Sequence, residues 1–257
     1  TMDIKSIEAK MEHLCRKAFV PKTAEGDGAQ NASKFSGIPW ISKGEKWPTC
    51  GYCNNPMQLV LQLNLAQCPH KFAGWPKNGF LQIFYCLNEG TYCEEAGDDA
   101  FSAFGQFVLA RVIDKSDAAE SFAEAPLANN LPAKSINGFR EVKDYPSPCE
   151  AGELTEGKVT EEEEEYLFEL TEYYGESFRD DSLPEPLTCV QDKVGGWPMW
   201  LQDRAHPACP ECGEEMEHLL QVASNVGFAH GWGDSGIAQL FRCPKHVKTL
   251  GFAWAGC

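Results

Sequence analysis

Residues 47–57 read Trp-Pro-Thr-Cys-Gly-Tyr-Cys-Asn-Asn-Pro-Met, and residues 206–216 read His-Pro-Ala-Cys-Pro-Glu-Cys-Gly-Glu-Glu-Met. Each places a C-x-x-C pair just after a proline and a methionine a few residues on. Working outward, the match continues. Gln62 and Gln221 each stand nine residues past the second cysteine. Gly79-x-x-Gln82-x-Phe84-x-Cys86 then answers Gly236-x-x-Gln239-x-Phe241-x-Cys243. The span from first to distal cysteine is 36 residues in one copy and 34 in the other. Each copy is also preceded by a similar element, Gly37-Ile38-Pro39-Trp40 or Gly196-Trp197-Pro198-Met199-Trp200. So many matched positions in one order predict an internal duplication, with two related β-rich halves packed as one pseudo-symmetric unit.

The spacing also predicts metal sites. A C-x-x-C turn aims two thiolates at one point, and zinc takes four N or S ligands in a tetrahedron. In the second half Cys209, Cys212, Cys243 and His246 make a complete Cys3His set. In the first half Cys50, Cys53 and Cys86 match three of these, and Glu89 stands where His246 would be. Cys93 is the expected fourth ligand, with Cys68 and His70 as competitors. Two structural zinc ions are therefore expected, since a full set of four protein ligands leaves no open position for catalysis.

Outside the repeat, Ile4, Ile7, Met11, Leu14 and Ala18 fall at helical spacing and predict a helix over residues 3–18. Residues 20–34 are rich in Gly, Asn, Asp and Lys and read as a loop. Apolar runs at 58–65, 79–87 and 104–113 read as strands broken by Gly and Pro, with another strand over 137–145. From Glu141 to Glu176 the net charge is −11, so most of the chain's excess charge sits there. Thr160 suits an N-cap, and the glutamates after it suit the positive end of a helix over 160–175, closed by Gly175. The organisation expected is a helix and loop (1–34), a first half (35–149), an acidic helical insertion (150–188) and a second half (189–257).

The chain has 257 residues with 22 Lys and Arg against 38 Asp and Glu, a net charge of −16. Such acidity argues against binding nucleic acid or an anionic membrane and favours a basic protein partner. No apolar run is long enough to span a bilayer. Residues 1–16 mix charges and lack the apolar core of a signal peptide, so a cytoplasmic location is expected. There, the 12 cysteines read as metal ligands or buried thiols sooner than disulfides.

Gly195-Gly196-Trp197-Pro198-x-Trp200-x-Gln202, the C-x-x-C followed by Met and Gln, and Trp232-Gly233-Asp234-x-Gly236 before an aromatic strand carry a family likeness. Over residues 35–257 the chain resembles the bacterial YwqG-like family, itself distantly similar to programmed cell death protein 2 and its relatives. The resemblance implies an α+β fold with mostly antiparallel sheets and no established enzymatic activity. Its relatives are implicated as chaperones of a ribosomal protein or, in bacteria, as proteins encoded beside secreted toxins. Not every YwqG-like member has the cysteines, so the zinc expectation rests on this sequence alone.

Other chemistry weighs less. Gly233-Asp234-Ser235-Gly236 suggests a nucleophilic serine, but nothing in the sequence places His206, His218 or His230 beside Ser235, and the stretch suits a turn before a strand. A redox role for either C-x-x-C needs a helix N-terminus in a βαβ unit, whereas both motifs are Pro-flanked with a distant cysteine partner. The glutamate run is in most cases a solvated face. With aromatic residues interleaved it can also anchor a basic partner. Glu161, Glu162, Glu163, Glu164, Glu165, Tyr173 and Tyr174 are the expected partner surface. The function expected is non-enzymatic protein binding: an immunity protein that neutralises a co-encoded toxin, such as a cationic nuclease. The alternatives are a chaperone-like binder of a basic ribosomal protein and, third, a zinc-dependent enzyme.

Overall fold

The structure is a computed structural model. It describes residues 2–87, 93–115, 119–120, 122, 124–127, 130–172 and 184–256. Among the described residues ten strands form one antiparallel sheet: β1 (Arg16–Glu25), β2 (Lys34–Phe35), β3 (Gln58–Asn64), β4 (Gly79–Tyr85), β5 (Val108–Asp114), β6 (Lys134–Asp144), β7 (Lys193–Gly195), β8 (Glu217–Ala223), β9 (Ile237–Arg242) and β10 (Leu250–Ala255). Three α-helices accompany them among the described residues: α1 (Ile4–Met11), α2 (Pro148–Leu154) and α3 (Glu161–Glu172). None of the described helices is long and apolar enough to cross a membrane.

The strand order is β10-β9-β8-β7-β1-β6-β2-β3-β4-β5. The long β1–β6 ladder, from Arg16 opposite Asp144 to Glu25 opposite Lys134, is the spine. One flank, β2 to β5, continues from β6, and the other, β7 to β10, continues from β1. The sheet curls until its two end strands meet, giving a nearly closed barrel. The Phe252 N–H donates to Ala103 O at 2.9 Å, and Trp254 Nε1 donates to Tyr85 Oη at 2.9 Å across this seam.

The flanks use matching registers. Gln62 stands opposite Gln82, and Gln221 opposite Gln239. Each strand pair slips one step nearer its start, between Leu59 and Leu61 or between His218 and Leu220. Trp40 N–H donates to Gln62 Oε1 at 2.7 Å, and Met199 N–H donates to Gln221 Oε1 at 3.2 Å. β4 starts at Gly79 and β9 is directly preceded by Gly236, and a side chain at either would run into backbone. A Cβ at Gly79 would lie 2.3 Å from Ile113 O, and one at Gly236 would lie 2.0 Å from Trp232 O.

One apolar core runs through both flanks. Leu59, Leu61, Ile83 and Tyr85 belong to the same buried cluster as Leu220, Val222, Leu240 and Phe252. Trp232 is fully buried, its ring edge-on to Tyr85 with centroids 5.3 Å apart. A smaller core packs Ile7 and Met11 of α1 against Tyr145, Ala151, Val159 and Leu167.

The expected helix over 3–18 and the loop over 20–34 are corrected here. The helix stops at Met11, with a 3-10 turn to Leu14, and Arg16–Glu25 is the central strand. Pro21 lacks an N–H and cannot sit inside a helix. It is tolerated in β1 because β7 reaches only Ala18 and Phe19, leaving an open edge beside the proline.

Charged side chains inside the sheet fix its junctions. Asp144 is buried and accepts from Lys193 Nζ at 2.8 Å, from the Cys189 N–H at 2.7 Å and from the Trp197 N–H at 2.7 Å. On the other flank Lys34 Nζ donates to Asp27 at 2.5 Å, and Asp27 accepts from the Ile38 N–H at 2.9 Å.

Asp192 accepts from the Ala223 N–H at 2.8 Å and the Gly227 N–H at 2.7 Å. Burial outweighs these bonds and raises its pKa from 3.8 to about 6. The unfolded chain therefore releases this proton at lower pH than the folded one. Between those two pH values the folded state binds more protons, so this residue's contribution falls as pH rises and is flat above about 6. Urea midpoints of the parent and Asp192→Asn, measured from pH 4 to 7, should have a difference that shifts in the variant's favour as pH rises. A pH-independent difference would contradict this.

Candidate metal centres

Each C-x-x-C is the tip of a small hairpin. Thr49 bridges Pro56, and Ala208 bridges Glu215. Inside the tips the Cys50 N–H donates to Asn55 O at 2.9 Å and the Cys209 N–H to Glu214 O at 2.8 Å. The residue after the second cysteine takes a left-handed backbone, Asn54 at φ 57° and Gly213 at φ 73°. These are residue types suited to that region. The turn brings two Sγ atoms onto one side.

The third ligand comes from the end of a central strand. Cys86 directly follows β4 and Cys243 directly follows β9, and both are buried. The fourth comes from the next turn. Cys93 opens the 3-10 turn Glu94–Phe101. His246 lies in the turn before β10, its N–H 3.2 Å from Cys243 Sγ.

The resulting groups are Cys50, Cys53, Cys86 and Cys93, and Cys209, Cys212, Cys243 and His246. Within each, the ligand atoms lie within 4.8 Å of one another. Cys50 Sγ is 3.7 Å from Cys93 Sγ, and Cys53 Sγ is 3.6 Å from Cys86 Sγ. Cys212 Sγ is 3.7 Å from Cys243 Sγ, and His246 Nδ1 is 3.7 Å and 3.6 Å from the sulfurs of Cys209 and Cys243. Disulfide sulfurs would be about 2.05 Å apart. Metal–sulfur bonds of about 2.3 Å in a tetrahedron give an S–S edge of about 3.8 Å and an S–N edge of about 3.6 Å. The observed edges fit that geometry, so both groups can hold a metal ion.

The electrostatics agree. Burial opposes ionisation of Cys209, yet hydrogen bonds from the Glu211 backbone and from His246 outweigh it and lower its pKa to about 7. Burial, reinforced by Cys50 and Cys53, pushes Cys93 up to about 11. Four thiols this close cannot all ionise unaided, because their charges repel; a central cation removes that penalty. Glu211 places a carboxylate oxygen 3.9 Å from His246 Nε2, on the ring edge away from the sulfurs.

Cys68 and His70 stand apart from the first group. Cys68 is buried in the main core, and burial raises its pKa to about 11. The His70 ring packs on Phe72, with centroids 4.7 Å apart. Glu89 lies outside the described residues. Ser235 sits on the exposed turn between Trp232 and Gly236, with φ 56°.

The acidic segment is more occupied than its sequence suggests. Thr160 caps α3: its Oγ1 accepts the Glu163 N–H at 3.4 Å, and the Glu163 carboxylate accepts the Thr160 N–H at 2.9 Å. This reciprocal pair is a capping box. Glu163 also takes Lys10 of α1 at 2.5 Å, and Glu164 accepts the Gly152 N–H of α2 at 2.6 Å. Glu163 and Glu164 are thus spent on internal contacts, while Glu161, Glu162 and Glu165 are exposed. Tyr173, Tyr174 and Gly175 lie outside the described residues.

Sequence reasoning missed the buried charges of Lys34, Asp144 and Lys193, and the half-buried Asp27 that pairs with Lys34, all of which look like surface charges until the strands are paired. It also passed over Arg111, whose Nε donates to Gln82 Oε1 at 2.9 Å and whose guanidinium pairs with Glu45.

No curated protein matches the chain. Residues 33–257 match the family model described as a domain of unknown function, DUF1963, consistent with the YwqG-like likeness. With the match running from just before β2 to the end of the chain, and so taking in both metal-ligand groups, the chain belongs to the DUF1963 family.

Proposed function

We propose that this protein is a non-enzymatic protein-binding scaffold, held together by two structural zinc ions, that docks a basic protein. Its first form is an immunity protein that neutralises a co-encoded secreted toxin such as a cationic nuclease. The observation that carries the reading is an open groove of about 400 Å³ between α2 and α3. Pro148 and Phe168 give it apolar lining, and Glu165 and Glu169 give it carboxylates one helical turn apart. Apolar anchors flanked by carboxylates suit a cationic, amphipathic partner surface. Zinc is favoured by the thiolate-rich ligand sets and their tetrahedral edges. With four protein ligands each, such sites are structural.

The two flanks derive, in this reading, from an internal duplication. Support comes from the matched registers, slips and glutamine contacts of β3–β4 and β8–β9.

Affinity capture from the native host, with mass spectrometry of what co-elutes, tests the partner. One basic toxin domain held near stoichiometry through moderate salt is the expected result. A ribosomal protein instead would turn the assignment to the chaperone. Reversing Glu161, Glu162 and Glu165 to lysine should slow association with the captured partner roughly tenfold or more at low salt and flatten its salt dependence. An unchanged on-rate would remove α3 as the docking surface.

A further inference from the structure

The two flanks differ at one buried point. In the first, Gln82 donates through Nε2 to Trp40 O and accepts Arg111 Nε at 2.9 Å. Arg111 stands opposite Gln82 in the β4–β5 ladder, its guanidinium 5.6 Å above the Phe84 ring and paired with Glu45. In the second, Gln239 donates through Nε2 to Met199 O at 2.6 Å, which fixes the amide's orientation. Its Oε1 is buried and has no hydrogen-bond partner among the described residues. The residue opposite Gln239 in the β9–β10 ladder is Ala253. Where one flank carries an arginine, the other has a cavity of about 90 Å³.

Gln239, Phe241, Ala253 and Trp254 line this cavity, and Gln202 and Asp203 form part of its wall. Gln239 and Phe241 are buried, whereas Gln202 and Asp203 are exposed. The site thus repeats the surroundings of Arg111: an amide carbonyl, an aromatic ring from the same strand and a nearby carboxylate. What it lacks is the guanidinium.

We propose that this cavity binds the guanidinium of an arginine side chain presented by a protein partner. A planar group with five N–H donors satisfies the Gln239 carbonyl and the Asp203 carboxylate together while stacking on an aromatic ring. A lysine ammonium is compact and more strongly hydrated, and suits the site less. The volume, on the scale of roughly three waters, admits such a head group. The exposed rim lets an arginine stem enter from solvent. This goes beyond the partner reading, because the site is built from β9, β10 and the loop at Gln202 and Asp203 and uses no residue of α3.

The test uses the full, metal-loaded chain and an N-acetyl-Gly-Arg-Gly-amide probe, followed by NMR at the Ala253 methyl, the Gln239 side-chain amide and the Trp254 indole. Saturable shifts at these three positions are expected, with the citrulline and lysine peptides at least tenfold weaker. Ala253→Arg supplies the missing guanidinium from within and should abolish the shifts without lowering the melting temperature. Asp203→Asn, at an exposed position, should weaken binding several-fold and decides the matter if Ala253→Arg does not fold. Equal binding of arginine and citrulline peptides, shifts elsewhere, or binding unaffected by both variants would overturn the proposal. Free arginine saturating the site below the peptide's concentration would assign a small molecule and overturn the protein partner. The variant with α3 charges reversed should bind the peptide as the parent does, so failure of the α3 surface and failure of this site are separately visible.

Discussion

Cys212→Ser is expected to remove one of two zinc equivalents and to unfold the β7–β10 flank. Cys212 is exposed, so exchanging its sulfur for oxygen costs little packing. At an ordinary surface site such a change stays within about 0.5 kcal/mol. Here it removes one of four ligands. Structural zinc contributes on the order of 10 kcal/mol to folding, against a total stability of about 5–15 kcal/mol for a domain. The short β7 strand cannot hold β8, β9 and β10 by itself, since it pairs with β1 at only Ala18 and Phe19. Metal content by native mass spectrometry should fall from two equivalents to one, and the melting transition should split or drop. A variant that keeps two equivalents and melts like the parent would disprove the second centre. Cys53→Ser makes the same demand of the first flank.

The second large effect belongs to Asp144. Asp144→Ala should cost about 3–5 kcal/mol, because it strands the Lys193 ammonium in the interior and leaves the Cys189 and Trp197 N–H groups unpaired. Both side chains of the pair are fully buried. The double change Asp144→Asn with Lys193→Met removes both charges, keeps an acceptor oxygen and should recover more than half of that loss. Asp27→Ala on the other flank should cost less. Lys34 is as buried as Lys193, but its partner's side chain is 35% exposed, so water can reach the pair. Urea midpoints of the four proteins give the ranking. If Asp27→Ala proves the more damaging, burial of the pair is not what sets its energy.

Several features were legible because they are local. The N-cap at Thr160 and the acidic first turn after it lie within four residues of one another. The C-x-x-C hairpins carry their own turn residues, Asn54 and Gly213. The third ligands are readable because Cys86 and Cys243 end runs that form strands whatever surrounds them. The β1 strand was not legible: Ala18 continues the apolar spacing of Ile7 and Met11, and only Pro21 signals that the helix has stopped. Its true partner, β6, lies more than a hundred residues away in sequence.

By itself, the sequence determined two matched cysteine-hairpin units, the first three residues of each candidate metal group, the complete second group and the acidic helix. Each of these is encoded within a turn, within a strand or in the order of repeated motifs. Only the tertiary structure decided that Cys93 completes the first group while Cys68 goes to the core. Only it joined both flanks through β1 and β6 into one curled sheet, turned Glu163 and Glu164 inward, and buried Asp144 with Lys193. The physical reason is common to all four. A side chain's chemistry is the same wherever it lies, but its partner is set by strand pairings that bring distant segments together, and no local period records them.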